Sequence, residues 1–140
     1  MLKPKVPRGR IRRLIRNWAV PVGCGLLFLF LLKFVFFFGY VPTASMEPAI
    51  RVDSFIIGHR VFGKLKHGDI VVFEYKGRLM VKRIAGVPGD VVPDAKGGTL
   101  AVPAGCYFVL GDNPEESVDS RHWSNPFVHE RRIIAKLLGK

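Results

Sequence analysis

The sequence predicts an all-β domain over residues 41–140, preceded by a single transmembrane helix over residues 18–40. The first observation is one long apolar run, 18–40, in which Lys33 is the only charged residue. The second is that the rest of the chain alternates short β-rich runs with turn residues, which its 15 glycines and 10 prolines supply. The third is that no stretch after Tyr40 shows the 3.6-residue apolar period of a long helix.

The apolar run over 18–40 exceeds the roughly 20 residues that a helix needs to cross a hydrocarbon core about 30 Å thick. A cleaved signal peptide is the alternative, but its apolar core spans only about 7–15 residues. We therefore expect a retained anchor. Within it, Lys33 either reaches the interface on its long stem or faces protein or another helix, and we favour the interface.

The net charge of +11 is concentrated before the apolar run. Residues 1–17 contain no acid and these bases: Lys3, Lys5, Arg8, Arg10, Arg12, Arg13 and Arg16. The positive-inside rule then predicts a cytoplasmic arm, 1–17, and a domain, 41–140, on the other side of the membrane. That domain has only a slight excess of basic over acidic residues, so we expect no nucleic-acid partner.

The folded part reads as strands separated by turns. Six runs are rich in β-branched and aromatic residues: Ser54–Arg60, Asp69–Tyr75, Leu79–Ala85, Thr99–Val102, Tyr107–Leu110 and Ile133–Leu138. The last of these is predicted as a strand or a short helix. The second and third are joined at Lys76-Gly77-Arg78, which indicates a hairpin.

The metal-ligating residue types show no ligand pattern. Cys24 lies in the apolar run and Cys106 in the domain, so we expect no disulfide. The acidic stretch 112–119 lacks the alternating ligands and central glycine of a calcium loop. The four histidines are scattered along the chain: His59, His67, His122 and His129. The sequence predicts neither a metal nor an organic cofactor.

Lys82 lies in a predicted strand, where residues 80, 82 and 84 share one face, so its side chain would project between Met80 and Ile84. An apolar setting lowers the pKa of a lysine. At the reference value only about one lysine in a thousand is neutral near pH 7.5, and each unit of lowering raises that fraction about tenfold. The alternative is an ordinary lysine on an exposed strand edge, which the local pattern alone favours.

Ser45 lies between Pro42 and Pro48, which stiffen the segment around it. A serine nucleophile served by a neutral lysine is a form of serine catalysis that needs no histidine. The hydroxyl of Thr43, two residues earlier, could donate to a developing oxyanion together with the backbone N–H of Ser45. The alternative is a plain linker beside the membrane.

Four segments in this order resemble motifs of the type I signal peptidases, membrane enzymes that remove leader peptides from exported proteins. They are spread along the predicted domain: Ser45–Pro48, Gly68–Phe73, Lys82–Asp90 and Gly111–Arg121. The resemblance implies a domain of coiled antiparallel sheets, a location in the plasma membrane and signal-peptide-bearing preproteins as substrates.

The resemblance also implies residue roles. Ser45 would be the nucleophile, Lys82 the general base, Thr43 the oxyanion-hole hydroxyl and Ser117 the residue that hydrogen-bonds and orients the lysine amine. A supporting network would consist of Asp112, Asp119, Arg121 and Arg83. Shallow apolar pockets for small side chains, matching a preference for Ala-x-Ala before the cut, would be lined by Val41, Pro42, Met46, Ile50, Met80 and Val81.

The sequence departs from the family pattern at Ala49, Pro114 and Glu115-Glu116, and its segment between the last two motifs is short, as in the small single-span members. Three alternatives remain open at this point. They are a peptidase dedicated to one substrate, a non-catalytic module that binds leader peptides, and a membrane-anchored nucleic-acid binder that uses the basic arm.

Overall fold

A computed structural model describes residues 8–94 and 97–139. The chain divides into two compact units, one up to Phe34 and one from Val35 onward. Residues 8–17 of the predicted cytoplasmic arm form the beginning of the helix in the first unit. Residues 1–7 of the arm lie outside the described residues, as does Lys140.

The N-terminal unit is the helix α1, Arg8–Val35, whose segment Asn17–Val35 is long and apolar enough to cross a membrane. The expectation that the helix continues to Tyr40 is wrong, because Phe36–Val41 form strand β1. This strand pairs with β2, Ser54–His59, along its whole length. The aromatic residues of β1 favour a strand with one buried face. Pairing with β2 also satisfies the hydrogen bonds of the β1 backbone, which helical hydrogen bonds would otherwise satisfy.

The second unit is built on a seven-stranded antiparallel sheet in the order β1-β2-β9-β3-β4-β7-β8, with β5 and β6 forming a separate pair. The remaining strands are β3 Ile70–Tyr75, β4 Arg78–Gly86, β5 Val91–Pro93, β6 Thr99–Ala101, β7 Cys106–Leu110, β8 Phe127–His129 and β9 Ile133–Leu137. The predicted β-dominated fold with one N-terminal apolar helix is confirmed, and the last run is a strand.

The β3–β4 hairpin sets the orientation of the lysine strand. Its two-residue loop, Lys76-Gly77, has both φ angles positive, at 49° and 76°, which is the backbone of a tight hairpin turn. The pairing places Lys82 opposite Val71 and Arg78 opposite Tyr75.

Two apolar clusters lie on either side of β4. One contains Phe73, Ile84 and Trp123, with Met80 packed against it. The other contains Met46 and Val72, among further residues, with Val81 packed against it. Successive side chains of β4 therefore enter different clusters, as expected for a strand. Lys82 lies on the same side as Met80 and Ile84.

Strand β4 also has an open edge. Within the described residues, β7 pairs with β4 only at Arg83, Ile84 and Gly86. The first part of β4, residues 78–82, is thus paired with β3 on one side and left without a strand on the other. Lys82 stands where the open edge ends.

Candidate active site

Ser45 is held in a one-turn 3₁₀ helix, Ala44–Met46, that packs against β4. The next residue, Met46, is fully buried in the core and anchors the turn. The Ser45 side chain is itself mostly buried, and its Oγ lies 3.4 Å from Oγ1 of Thr43. The Ser45 carbonyl accepts a hydrogen bond of 3.2 Å from the backbone N–H of Asn113. The burial of Met46 and the hydrogen bond from Asn113 therefore fix the backbone that carries the predicted nucleophile.

Lys82 is only 2% exposed, so the expectation of an exposed edge lysine, which the local pattern favoured, is wrong. Burial lowers the pKa of its amine, the Asp119 and Asp112 carboxylates oppose this, and Arg121 adds to the lowering. Among residues 8–94 and 97–139, no side-chain hydrogen bond or ion pair engages the amine. Burial of the lysine side chain, with no hydrogen bond or ion pair to hold the ammonium, therefore shifts the amine towards its neutral form.

Asp119 is fully buried at the centre of a hydrogen-bonded cluster. Its carboxylate accepts from the Gly111 N–H at 2.9 Å, from the Ser117 hydroxyl at 2.7 Å, and from Arg121 at 2.9 and 2.8 Å. Burial raises the pKa of this carboxyl, but the donors outweigh burial and bring the pKa down to about 2. Asp119 is therefore charged at any physiological pH.

Ser117 is buried, but its hydroxyl hydrogen is committed to Asp119. The expected hydrogen bond between Ser117 and the amine of Lys82 is not present in the part of the chain that the structure describes. Since its hydrogen points to the carboxylate, the Ser117 oxygen is left with acceptor capacity.

The supporting ion pairs form two separate units rather than one network. Arg83 binds Asp112 through two hydrogen bonds of 2.8 and 2.6 Å, and its third nitrogen donates to the Gly68 carbonyl at 2.8 Å. The hydrogen bonds to Asp112 raise the pKa of Arg83. Arg83 directly follows Lys82, and Asp112 directly precedes Asn113, whose N–H donates to the Ser45 carbonyl. Arg83 and Asp112 thereby couple the two halves of the predicted dyad.

Gly111 is a functional position that the sequence reasoning did not single out. A Cβ atom there would lie 2.1 Å from the Ser117 hydroxyl and 2.5 Å from the Ser45 carbonyl oxygen. Any side chain would push apart the loop and the nucleophile turn. The signal was available, because this glycine opens the last motif directly before Asp112 and Asn113.

A groove of about 980 Å³ joins these elements. It is lined by Ser45, Lys82 and Thr43, and by five of the six predicted pocket residues: Val41, Pro42, Met46, Met80 and Val81. The sixth, Ile50, is buried in the core near Met46 and lines a separate, smaller depression.

One wall of the groove was not predicted. Tyr75 and Trp123, distant in sequence, stack with ring centroids 4.0 Å apart, and both line the groove together with His122. In the described residues, no group of three or more His, Cys, Asp or Glu side chains is arranged to hold a metal ion. The groove therefore offers apolar and aromatic surface around Ser45 and Lys82.

The chain is similar to a known protein family and to several of its members. The family model "Signal peptidase, peptidase S26" matches residues 15–101 and 91–138. A relative from Synechocystis sp., a probable signal peptidase I-2, is 29% identical, and the match covers 69% of this chain and 59% of the relative. Signal peptidase I of Leptolyngbya laminosa is 29% identical, and the match covers 69% of this chain and 64% of that protein. Signal peptidase IB of Staphylococcus aureus is 27% identical, and the match covers 91% of this chain and 89% of that protein.

The match to the first two relatives spans roughly three fifths of their length. The family model, in contrast, accounts for most of the chain, from the apolar helix to the last strand. The resemblance of the four motifs to type I signal peptidases is confirmed, and the chain belongs to the signal peptidase family, peptidase S26.

Proposed function

We propose that this protein is a membrane-anchored serine endopeptidase that removes signal peptides from exported proteins through a Ser45–Lys82 dyad. One observation carries the proposal: a serine in a fixed turn and a buried lysine without an ionic partner line the same groove. A lysine base needs burial, because an exposed ammonium holds its proton near neutral pH.

The chemistry is acyl transfer in two stages. The neutral amine of Lys82 takes the proton of the Ser45 hydroxyl while Ser45 Oγ attacks the scissile carbonyl. The resulting ammonium then gives its proton to the leaving amine, and the C–N bond breaks to leave an ester on Ser45. Lys82, neutral again, removes a proton from water, which attacks the ester. The Lys82 ammonium then returns this proton to Ser45 Oγ as the ester C–O bond breaks and the leader peptide leaves.

The oxyanion of each tetrahedral intermediate would be met by the Thr43 hydroxyl and the backbone N–H of Ser45. The 3.4 Å separation between the hydroxyl oxygens of Thr43 and Ser45 supports this role, because it puts a donor beside the attacking atom. The 3₁₀ turn fixes the backbone on which both depend.

The open edge of β4 supports binding of the substrate as an added strand. Main-chain groups of residues 78–82 have no strand partner on the groove side within the described chain. An extended peptide there would gain main-chain hydrogen bonds, and its side chains would alternate between the two walls. Met46, Val81 and their neighbours make one wall apolar, which suits small side chains such as alanine next to the cut.

The helix α1 supports anchoring in the plasma membrane. The seven bases and absence of acids over residues 1–17 favour a cytoplasmic N-terminus and a catalytic domain on the opposite side. Ten residue steps join Val35, the last helical residue, to Ser45, which limits their separation to about 34 Å. The nucleophile is thus tethered to the membrane span of the same chain, on the side where the cleavage site of an anchored precursor would emerge.

The test compares Ser45→Ala and Lys82→Ala with Ser124→Ala and Lys64→Ala, two matched changes at exposed positions. Each full-length protein is incubated in detergent with an exported precursor and with a serine-reactive covalent probe. The dyad variants should process the precursor at least about a thousandfold more slowly. Ser45→Ala should also lose the label, while the control variants keep both activities. Normal processing by either dyad variant would reject the proposal.

A further inference from the structure

The groove is basic at the tip of the β3–β4 hairpin. Lys76 and Arg78 flank the tip of the β3–β4 hairpin, both are exposed, and both line the groove. The Lys76 amine lies 5.4 Å from the centre of the Tyr75 ring, over its face. Neither cation forms an ion pair with any residue in 8–94 or 97–139. Two positive charges without an ion-pair partner therefore stand at the hairpin end of a mainly apolar groove, whose lining among the described residues also includes one acid, Glu116.

The position of these charges relative to the dyad follows from β4. Lys82, Met80 and Arg78 point to the same side of the strand, since they are two residues apart. At about 3.4 Å per residue, Arg78 lies about 14 Å along the strand from Lys82. A peptide lying extended beside β4 has the same rise, so its residue beside Arg78 is about four positions from its residue beside Lys82.

The direction of the peptide rests on the proposed function. From Arg83 onward β7 occupies the edge of β4, so a bound strand can extend only toward Arg78. The leader half of the substrate stays bonded to Ser45 after the first stage, whereas the other half must leave. We therefore place the leader half of the substrate, which is retained, in the groove beside residues 78–82.

We propose that Arg78, assisted by Lys76, forms a subsite for a carboxylate side chain about five residues before the scissile bond. It is a specificity-determining contact, separate from the apolar walls beside the cut. Because successive side chains of a strand face opposite ways, the preference should be strong at one position and weak at its neighbours.

The experiment uses full-length protein in detergent and one precursor in which positions −4, −5 and −6 are changed singly to Glu, Gln or Lys. At the responsive position, wild type should cleave the Glu substrate about two- to fivefold faster than the Gln substrate in kcat/KM, as expected for a partly exposed ion pair. About 1 M salt should reduce this ratio towards one. Arg78→Glu should reverse the order, so that the Lys substrate becomes the faster one.

Arg131→Gln, at an exposed position outside the groove, is the matched control and should keep the wild-type preference. Equal cleavage of the Glu, Gln and Lys substrates by wild type would overturn the subsite, as would an equal response at all three positions. If Arg78→Glu fails to fold, the salt and position dependence in wild type still decides. Failure of the proposed function would look different, because no substrate would then be cleaved in a Ser45-dependent manner.

Discussion

Replacing Asp119 with asparagine tests the electrostatic reasoning about the site most directly. The carboxylate is fully buried and accepts hydrogen bonds from Gly111, Ser117 and Arg121. Its pKa falls from 3.8 to about 2 on folding. Since one pKa unit is worth about 1.4 kcal/mol, the charged form adds roughly 2 kcal/mol to the free energy of unfolding relative to the protonated form.

The sign of the pH dependence follows from the depressed pKa. This contribution is complete above the unfolded-state value of 3.8 and is lost as the pH falls through about 2. A neutral asparagine cannot make the contribution at any pH. The free energy of unfolding of wild type minus that of Asp119→Asn should therefore shrink by about 2 kcal/mol between pH 6 and pH 2.

The assay is urea unfolding of the full chain in non-ionic detergent, followed by fluorescence of Trp123, in a Trp18→Phe background so that one indole reports. Trp123 is buried against Phe73 and Tyr75 and senses loss of the core. Glu115→Gln, which removes an exposed acid from the same loop, is the matched control. If the difference in free energy of unfolding between wild type and Asp119→Asn stays constant from pH 6 to pH 2, the Asp119 charge does not stabilise the fold as described.

Three further predictions concern the dyad and its support. Gly111→Ala should lower kcat for precursor cleavage about a hundredfold, because the new methyl displaces Ser117 and the Ser45 carbonyl, whereas Gly63→Ala, in open space, should not. The kcat/KM of wild type should rise with pH to a plateau, with a midpoint below 10.5, since only neutral Lys82 is active; a midpoint at or above that value contradicts the assignment. Lys82→Met should raise the free energy of unfolding near pH 7, measured by urea titration, and the gain should shrink as the pH approaches 10.5, because unfolding lets the buried lysine take up a proton.

Local patterns predicted most of the strands but not where the helix ends. The hairpin at Lys76-Gly77 follows from a turn signal between two β-rich runs, and that information is contained in the sequence nearby. The change from helix to strand at Phe36 is not, because Phe36–Val41 continue the apolar run without a break. Only the pairing with Ser54–His59, set by the tertiary structure, decides that these residues are extended.

The candidate site shows the same division. The motifs select Ser45 and Lys82, but the local pattern around Lys82 favours an exposed edge lysine, although Met80 and Ile84 share its face of the strand. Burial comes from segments far along the chain, including the turn that carries Ser45 and the loop that ends in Trp123. The bond from Ser117 to Asp119 likewise depends on how that loop closes, which no spacing in the sequence specifies.

Arg121 acts on two other charged groups of the site, Asp119 and Lys82. Asp119 must be charged to hold Ser117 and the Gly111 N–H, yet its charge favours the protonated form of Lys82. Arg121 hydrogen-bonds both oxygens of Asp119 and itself disfavours a second cation at Lys82. Burial is the largest influence on Lys82 and lowers its pKa, whereas the Asp119 carboxylate raises that pKa by more than Arg121 lowers it. Arg121 therefore offsets only part of the effect of Asp119, and the arginine–aspartate pair serves mainly as a rigid anchor for the loop while burial activates the lysine.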